Sequence, residues 1–181
     1  MTSVADSIEK AKSLVMKCLT TLYEQDSYLF ERNSGEGVCE RCLVFRFAYH
    51  LQNDIEDYYV DCDYNSSSGS TTNADGEVLN TERIGKVIRN EGGTNTRRFV
   101  DIIVHERNYN AHNDYICFEV KKWNSREDTK EDLNKLKRLT SDYNYLFGFH
   151  LILGRTLKET QWRIFRGGIE VEPISAVFGD V

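Results

Sequence analysis

Two stretches in the second half of the chain constrain its fold more than any others. Arg97-Arg98-Phe99-Val100-Asp101-Ile102-Ile103-Val104-His105 and Tyr115-Ile116-Cys117-Phe118-Glu119-Val120-Lys121-Lys122 are both dense in β-branched and aromatic residues. Each therefore predicts a strand. Each also carries an acidic residue between apolar neighbours, a position where a core strand ordinarily has none. Glu119 and Lys121 are two residues apart, so they project from one face of their strand, about 7 Å from each other along it. A chain that folds around these strands must find something for the buried charges to do.

The remaining elements follow from periodicity. Ile8, Ala11, Leu14, Val15, Cys18, Leu19 and Leu22 recur at the 3.6-residue period of an amphipathic helix over about 3–25. A second helix is expected over about 36–52. Its content of Val38, Leu43, Val44, Phe45, Phe47, Ala48, Tyr49 and Leu51 predicts burial around most of its circumference. Residues 58–64 alternate as a strand does, and the Ser/Thr/Gly/Asn tract 65–76 reads as a loop. Residues 77–96 are open between a short helix and a strand around Ile84, Val87 and Ile88. After a polar turn at 106–114 and the second strand, a loop leads to a third helix over about 130–143, with Leu133, Leu136 and Tyr143 on one stripe. The apolar run 145–153 predicts a strand buried on both faces, and 161–165 a last strand. No internal repeat or linker divides the chain, so 1–181 is expected to be one α/β domain with its core at about 36–153.

Composition narrows the class. At 181 residues, 40% of them hydrophobic, the chain is long enough for one well-buried core. No apolar run has the length of a membrane span and the first residues are polar, so a soluble, cytoplasmic protein without a membrane partner is expected. The net charge of −6 argues against a generic nucleic-acid binder, but it is unevenly spread. Residues 1–80 hold 6 Lys+Arg against 14 Asp+Glu, and residues 81–181 hold 17 against 15. Arg97, Arg98, Lys121, Lys122, Lys135, Lys137 and Arg138 form a local basic set able to contact phosphates, or simply a solvated face. The five cysteines have no framework spacing. Cys39 and Cys42 stand as half of a metal or redox pair without a second half, so buried free thiols are expected.

The acidic residues carry the chemistry. Glu40 would head the face of the second helix that includes Val44, Phe47 and Leu51, where an unpaired carboxylate is costly. Either an arginine across the core or a metal ion would satisfy it. Asp101 and Glu119 on neighbouring apolar strands would repel one another unless a cation neutralises them. Mg2+ suits that role, being a hard ion commonly held by one or two carboxylates with waters and a substrate phosphate. Lys121, on the face of Glu119, would bring its ammonium to an attacking water or to charge developing on phosphorus. Glu-x-Lys alone is a weak motif; preceded by a strand aspartate and a helical glutamate it becomes specific.

In these residues the sequence resembles the PD-(D/E)xK nuclease superfamily, whose restriction-endonuclease-like fold has an αβββαβ core. The motif falls on Asp101 and Glu119-Val120-Lys121, with Glu40 as the helical acidic residue; the family's proline is Val100 here. The resemblance implies a mixed central sheet flanked by helices, to which this chain adds an N-terminal helix. It also implies Mg2+- or Mn2+-dependent hydrolysis of phosphodiester bonds, most readily in DNA, by an enzyme that can act as a homodimer. Asp101, Glu119 and Glu40 would then serve as metal ligands and Lys121 would serve the nucleophile. Lys135 on the following helix and His105, on the face of Asp101, would support the site, and Arg97, Arg98 and Lys122 would bind nucleic acid.

Two alternatives compete. A catalytically inactive module of the same fold could bind nucleic acid or a protein partner, and the acidic group Asp54, Glu56, Asp57, Asp61 and Asp63 could face a basic partner. A plain ion pair between Glu119 and Lys121 would leave Asp101 and Glu40 unexplained. His50, His105, His112 and His150 have no metal-ligand spacing and read as core-edge or surface residues. Trp123 could stack on a base, though packing at a strand end is the commoner use. The tract Ser66–Ser70 lacks the Gly/Lys pattern of a phosphate-binding loop.

Overall fold

Period-3.6 apolar stripes near the start of the chain and again after residue 129, with apolar runs between and beyond them, give helices on both faces of one sheet. The computed structural model describes residues 4–31, 39–64, 67–72, 78–84, 87–89, 95–97, 100–106, 114–125, 129–143 and 145–178, and between 63 and 97 the backbone alone. Helices α1 (Val4–Gln25) and α2 (Glu40–Asp54) precede strand β1 (Tyr59–Tyr64). Two hairpins follow, β2 (Ser67–Thr72) with β3 (Val78–Ile84) and β4 (Val87–Arg89) with β5 (Asn95–Arg97). The chain continues as β6 (Val100–His105), β7 (Asp114–Lys122), α3 (Lys130–Asp142), β8 (Phe147–Leu153), β9 (Gln161–Arg166) and β10 (Ile169–Ala176).

Six strands form one mixed sheet in the order β1-β6-β7-β8-β9-β10. Only β7 and β8 run parallel within it, and α3 is the crossover that a parallel pair requires. Alternation along the strands sorts the core into two layers. Ile102, Val104, Phe118, Val120, Phe149, Leu151 and Ile164 meet Val15, Leu19, Leu22, Val44, Phe47 and Leu51 of α1 and α2. Ile103, Cys117 and Phe165 meet Leu136 and Leu139 of α3 on the opposite face. Gly148 sits under α3, where an added Cβ would lie 3.2 Å from Thr140 Cγ2 and 3.3 Å from Leu136 Cδ2. Its missing side chain lets the helix approach the sheet closely.

Several expectations need correction. The Ser-rich tract contains β2 rather than being all loop, because a hairpin ladder is made by backbone groups that every residue carries. The strand expected over 97–105 begins at Val100; Arg97 belongs to β5, and Arg98 and Phe99 lie outside the described residues. The expected start of α2 at 36 also lies outside them, and the helix begins at Glu40. It is not buried around most of its circumference: Phe45 and Tyr49 are 62% and 48% exposed, while Phe47 and Leu51 are fully buried. Strand β10 was not expected. Gly167 and Gly168, with φ of 55° and 78°, make the two-residue turn from β9 to β10. Cys18 and Cys117 are buried as anticipated, but Cys39, Cys42 and Cys62 are exposed. Among the described residues, no helix is long and apolar enough to cross a membrane.

One polar cluster ties the helical layer together away from the sheet. Asp26, just after α1, accepts from Arg46 Nε at 2.9 Å and meets His50 Nε2 at 2.8 Å, with Asp26 and His50 both buried. Burial pushes the Asp26 carboxyl up, but the hydrogen bonds and charge of Arg46 and His50 outweigh it and hold the carboxyl below its ordinary value of 3.8. A depressed native value means stability that is present above the ordinary carboxyl range and lost as pH falls through the native value. Asp26→Ala should cost roughly 3 kcal/mol at neutral pH, since it strands Arg46 and His50. Urea titrations should also find the acid limb of its stability profile shallower than that of the wild type.

Candidate active site

Where β6, β7, α2 and α3 come together, the apolar core gives way to charge. Asp101 is the second residue of β6 and Glu119 lies in the middle of β7. Their strands pair through Ile102–Phe118, so the register sets Asp101 and Glu119 opposite one another. Asp101 Oδ2 accepts the Val120 N–H at 2.7 Å, taking a donor of β7 with a side chain. Glu40, in the first turn of α2, accepts the Lys122 N–H at 3.2 Å through Oε2, and its Oε1 lies 3.8 Å from Lys121 Nζ. Helix α3 contributes Asp132 and Lys135. Lys121 Nζ is 3.3 Å from Asp132 Oδ2, Lys135 Nζ is 2.6 Å from Glu119 Oε1, and Lys135 Nζ is 3.6 Å from Asp132 Oδ1. The Lys135–Glu119 contact is the shortest of these ion pairs.

Exposure grades across the cluster. The Glu119 side chain is 2% exposed, those of Asp132 and Lys121 are 12% exposed, and that of Glu40 is 30% exposed, so the group opens to solvent on the Glu40 side. The electrostatics follow from this depth. Burial, then the charge of Asp101, pushes the Glu119 carboxyl well above its ordinary range, and Lys135 only partly opposes them. Burial also raises Asp101, against the Val120 N–H and the ammonium groups of Lys135 and Lys121. Among the described residues, four carboxyl groups (Glu40, Asp101, Glu119, Asp132) thus share two ammonium groups, an excess of two negative charges when all are ionised. Two protons or one divalent cation would balance it.

His150 stands beside this group. It pairs with Glu119 in the parallel register and with Arg163 on the other side. The residue is 1% exposed, and neither ring nitrogen has a hydrogen-bond partner among the described residues. Burial holds the imidazole down, at about 4; Asp132 opposes this, while Arg163 and Lys121 add to it. The ring is therefore neutral at physiological pH.

The structure thus brings together Glu40, Asp101, Glu119, Lys121 and Lys135. It also adds Asp132 and His150, which sequence reasoning had not singled out for the site. Among the described residues the partners of Glu40 are Lys121 and the Lys122 N–H rather than an arginine. His105 belongs elsewhere: its Nε2 lies 2.8 Å from Asp61 Oδ2, and four residues of strand, about 13 Å, separate it from Asp101. Lys122 serves Glu40 through its backbone. The side chains of Arg97 and Arg98, and His112, lie outside the described residues. Trp123 packs against the core, its ring centroid 6.0 Å from that of Phe30, with the Arg155 guanidinium 6.0 Å away. Asp54, from the acidic group, is paired with Lys17 at 2.7 Å.

The donors suit a hard divalent ion in chemistry, being carboxylates with an excess of negative charge in a partly desolvated recess. They are not a ready cage: among the described residues, no three His, Cys, Asp or Glu side chains are arranged to hold a metal. Lys135 rests on Glu119, and an incoming cation would have to displace it. No protein-family model matches the sequence, and no curated protein matches it significantly.

Proposed function

We propose that the chain is a metal-dependent nuclease that hydrolyses phosphodiester bonds, with DNA as the substrate class and Mg2+ or Mn2+ as the ion. The observation that carries this reading is the meeting of Asp101, Glu119, Lys121 and Glu40, from three separate elements, in one charged recess of an apolar core. The element order supports it as well. Counting α2, β1, β6, β7, α3 and β8, and setting aside the hairpins between β1 and β6, the core runs αβββαβ, as in the restriction-endonuclease-like fold.

Asp101 and Glu119 would hold the ion, with Glu40 assisting from the solvent side. Bound there, a divalent ion supplies an acidified water and a positive charge for the phosphate oxygens. The rest falls to the chain's own groups. Lys121, held between Asp132 and Glu40, keeps its ammonium where negative charge develops on a phosphate. Lys135 neutralises Glu119 while the site is empty of substrate and has Asp132 as a second anion to move to. Asp132 fixes both lysines from one turn of α3.

Lys121 offers a direct test. Lys121→Ala should lower divalent-dependent DNA cleavage by roughly a hundredfold or more, while its circular dichroism matches the wild type. A Lys121→Ala protein that cleaves as fast as the wild type would remove the lysine from the chemistry. Wild type that binds DNA but leaves it intact would favour a catalytically inactive module.

A further inference from the structure

Position 150 is an expensive place for a histidine. Its neighbours on β8 are Phe149 and Leu151, both fully buried, and the strand is packed on both faces. An imidazole with two unpartnered nitrogens at 1% exposure loses its hydrogen bonds to water and gains none in return. Leucine or phenylalanine would fill the same layer without that loss. Among the described residues, His150 is the side chain whose polar atoms are all buried without a hydrogen-bond partner. It lies beside Glu119 in the sheet and within electrostatic reach of Asp132 and Lys121. A buried, unsatisfied polar group at the edge of a charged recess calls for a ligand.

The ring offers one N–H and one lone pair. Carboxylate oxygens suit Mg2+ and Mn2+ alike, whereas an imidazole nitrogen disfavours Mg2+, a strict oxygen binder, against transition-metal ions, Mn2+ among them. We propose that His150 supplies a nitrogen donor to the divalent ion held by Asp101 and Glu119, and so makes the site prefer Mn2+ over Mg2+. The proposal rests on the cation-dependent reading above and adds which ion the site selects. Among the described residues no three-donor cage is preformed, so Asp101, Glu119 and His150 would have to close on the ion, and Lys135 would have to leave Glu119 for them to do so. Asp132, 3.6 Å from Lys135 Nζ, is in place to receive the ammonium.

The test is a titration of metal-free protein with Mn2+ and with Mg2+, followed by calorimetry and by the Mn2+ spin-resonance signal. Wild type should bind Mn2+ more tightly than Mg2+. His150→Leu should weaken Mn2+ binding roughly ten- to hundredfold, the scale on which residues around a metal tune its affinity, and leave Mg2+ binding nearly unchanged. His150→Gln, which keeps a polar side chain without an imidazole, should behave likewise and serves if the leucine variant does not fold. Unchanged Mn2+ affinity in either folded variant overturns the proposal, as does a wild type without Mn2+ preference. If Asp101→Asn abolishes binding while the His150 variants do not, His150 alone is excluded and the nuclease reading stands. If wild type binds neither ion, both fall.

Discussion

Glu119→Gln should reduce divalent-dependent cleavage about a thousandfold, equivalent to about 4 kcal/mol of transition-state stabilisation, and yet leave the metal-free protein more stable at alkaline pH. The two effects have one cause. Glu119 is buried opposite Asp101, and its carboxyl is held well above its ordinary value of 4.5 despite the ammonium of Lys135. Relative to water, the fold therefore favours the neutral form of this carboxyl, and glutamine is a neutral copy of similar shape. For an acid whose native value is raised, the stabilising contribution is full below the ordinary value and is lost as pH rises through the native one. The variant has no such loss, so its advantage should be absent near pH 4 and should grow as pH rises. Chemical denaturation of metal-free wild type and variant across that range checks the stability half, and cleavage rates with added Mg2+ or Mn2+ check the other. A variant that loses stability at high pH would mean that Lys135 stabilises the charged form more than burial and Asp101 oppose it.

The second large effect lies one residue away and concerns the fold alone. Phe118 is fully buried on the face of β7 opposite the site. Its ring meets Phe47 of α2 edge-on at 5.4 Å and Phe149 of β8 at 5.5 Å. Phe118→Ala should cost about 3–5 kcal/mol, the sum of lost transfer energy and a cavity between two rings. Urea denaturation should show the midpoint falling while the slope is unchanged. Phe45→Ala, on the exposed side of α2, is the control. With that side chain 62% exposed, the change should stay within about 0.5 kcal/mol. Similar losses at both positions would mean that the assignment of the two faces of α2 is wrong.

The contrast between these phenylalanines also marks what the sequence makes legible. Val44, Phe47 and Leu51 share a helical face by spacing alone, and that face is the buried one. Tyr145 to Leu153 reads as a doubly buried strand because no solvent-facing alternation interrupts it, and β8 is that strand. Asp101 and Glu119 are conspicuous for the same reason, being charges where the pattern has no room for them. Asp132 is hidden by its surroundings: among Lys130, Glu131 and Lys135 it reads as one more solvated charge. Only the stripe 132, 135, 136, 139, at helical spacing, places it on the face that α3 turns to the sheet. His150 carries the opposite signal, a polar group inside an apolar strand, but the four histidines have no ligand spacing among them, so it reads as a core-edge residue. Strand β10 is obscured by Pro173, which cuts the Ile169-Glu170-Val171-Glu172 alternation short after four residues; that alternation and the Gly167-Gly168 pair are the signs of a hairpin there. The β2–β3 ladder has no comparable sign, since backbone pairing leaves little trace in a run of serines.

The most direct measurement is cleavage itself. Purified wild-type protein, stripped of metal with a chelator and then supplied with Mg2+ or Mn2+, is incubated with single- and double-stranded DNA and with RNA, alongside Asp101→Asn prepared in the same way. Wild type should cut DNA only after the ion is restored, and Asp101→Asn should not cut at all. Cutting of RNA alone would move the substrate class and keep the site. Nucleic acid left intact by wild type under every one of these conditions, or cut equally well by Asp101→Asn, would contradict the assignment of this recess as a metal-dependent nuclease centre.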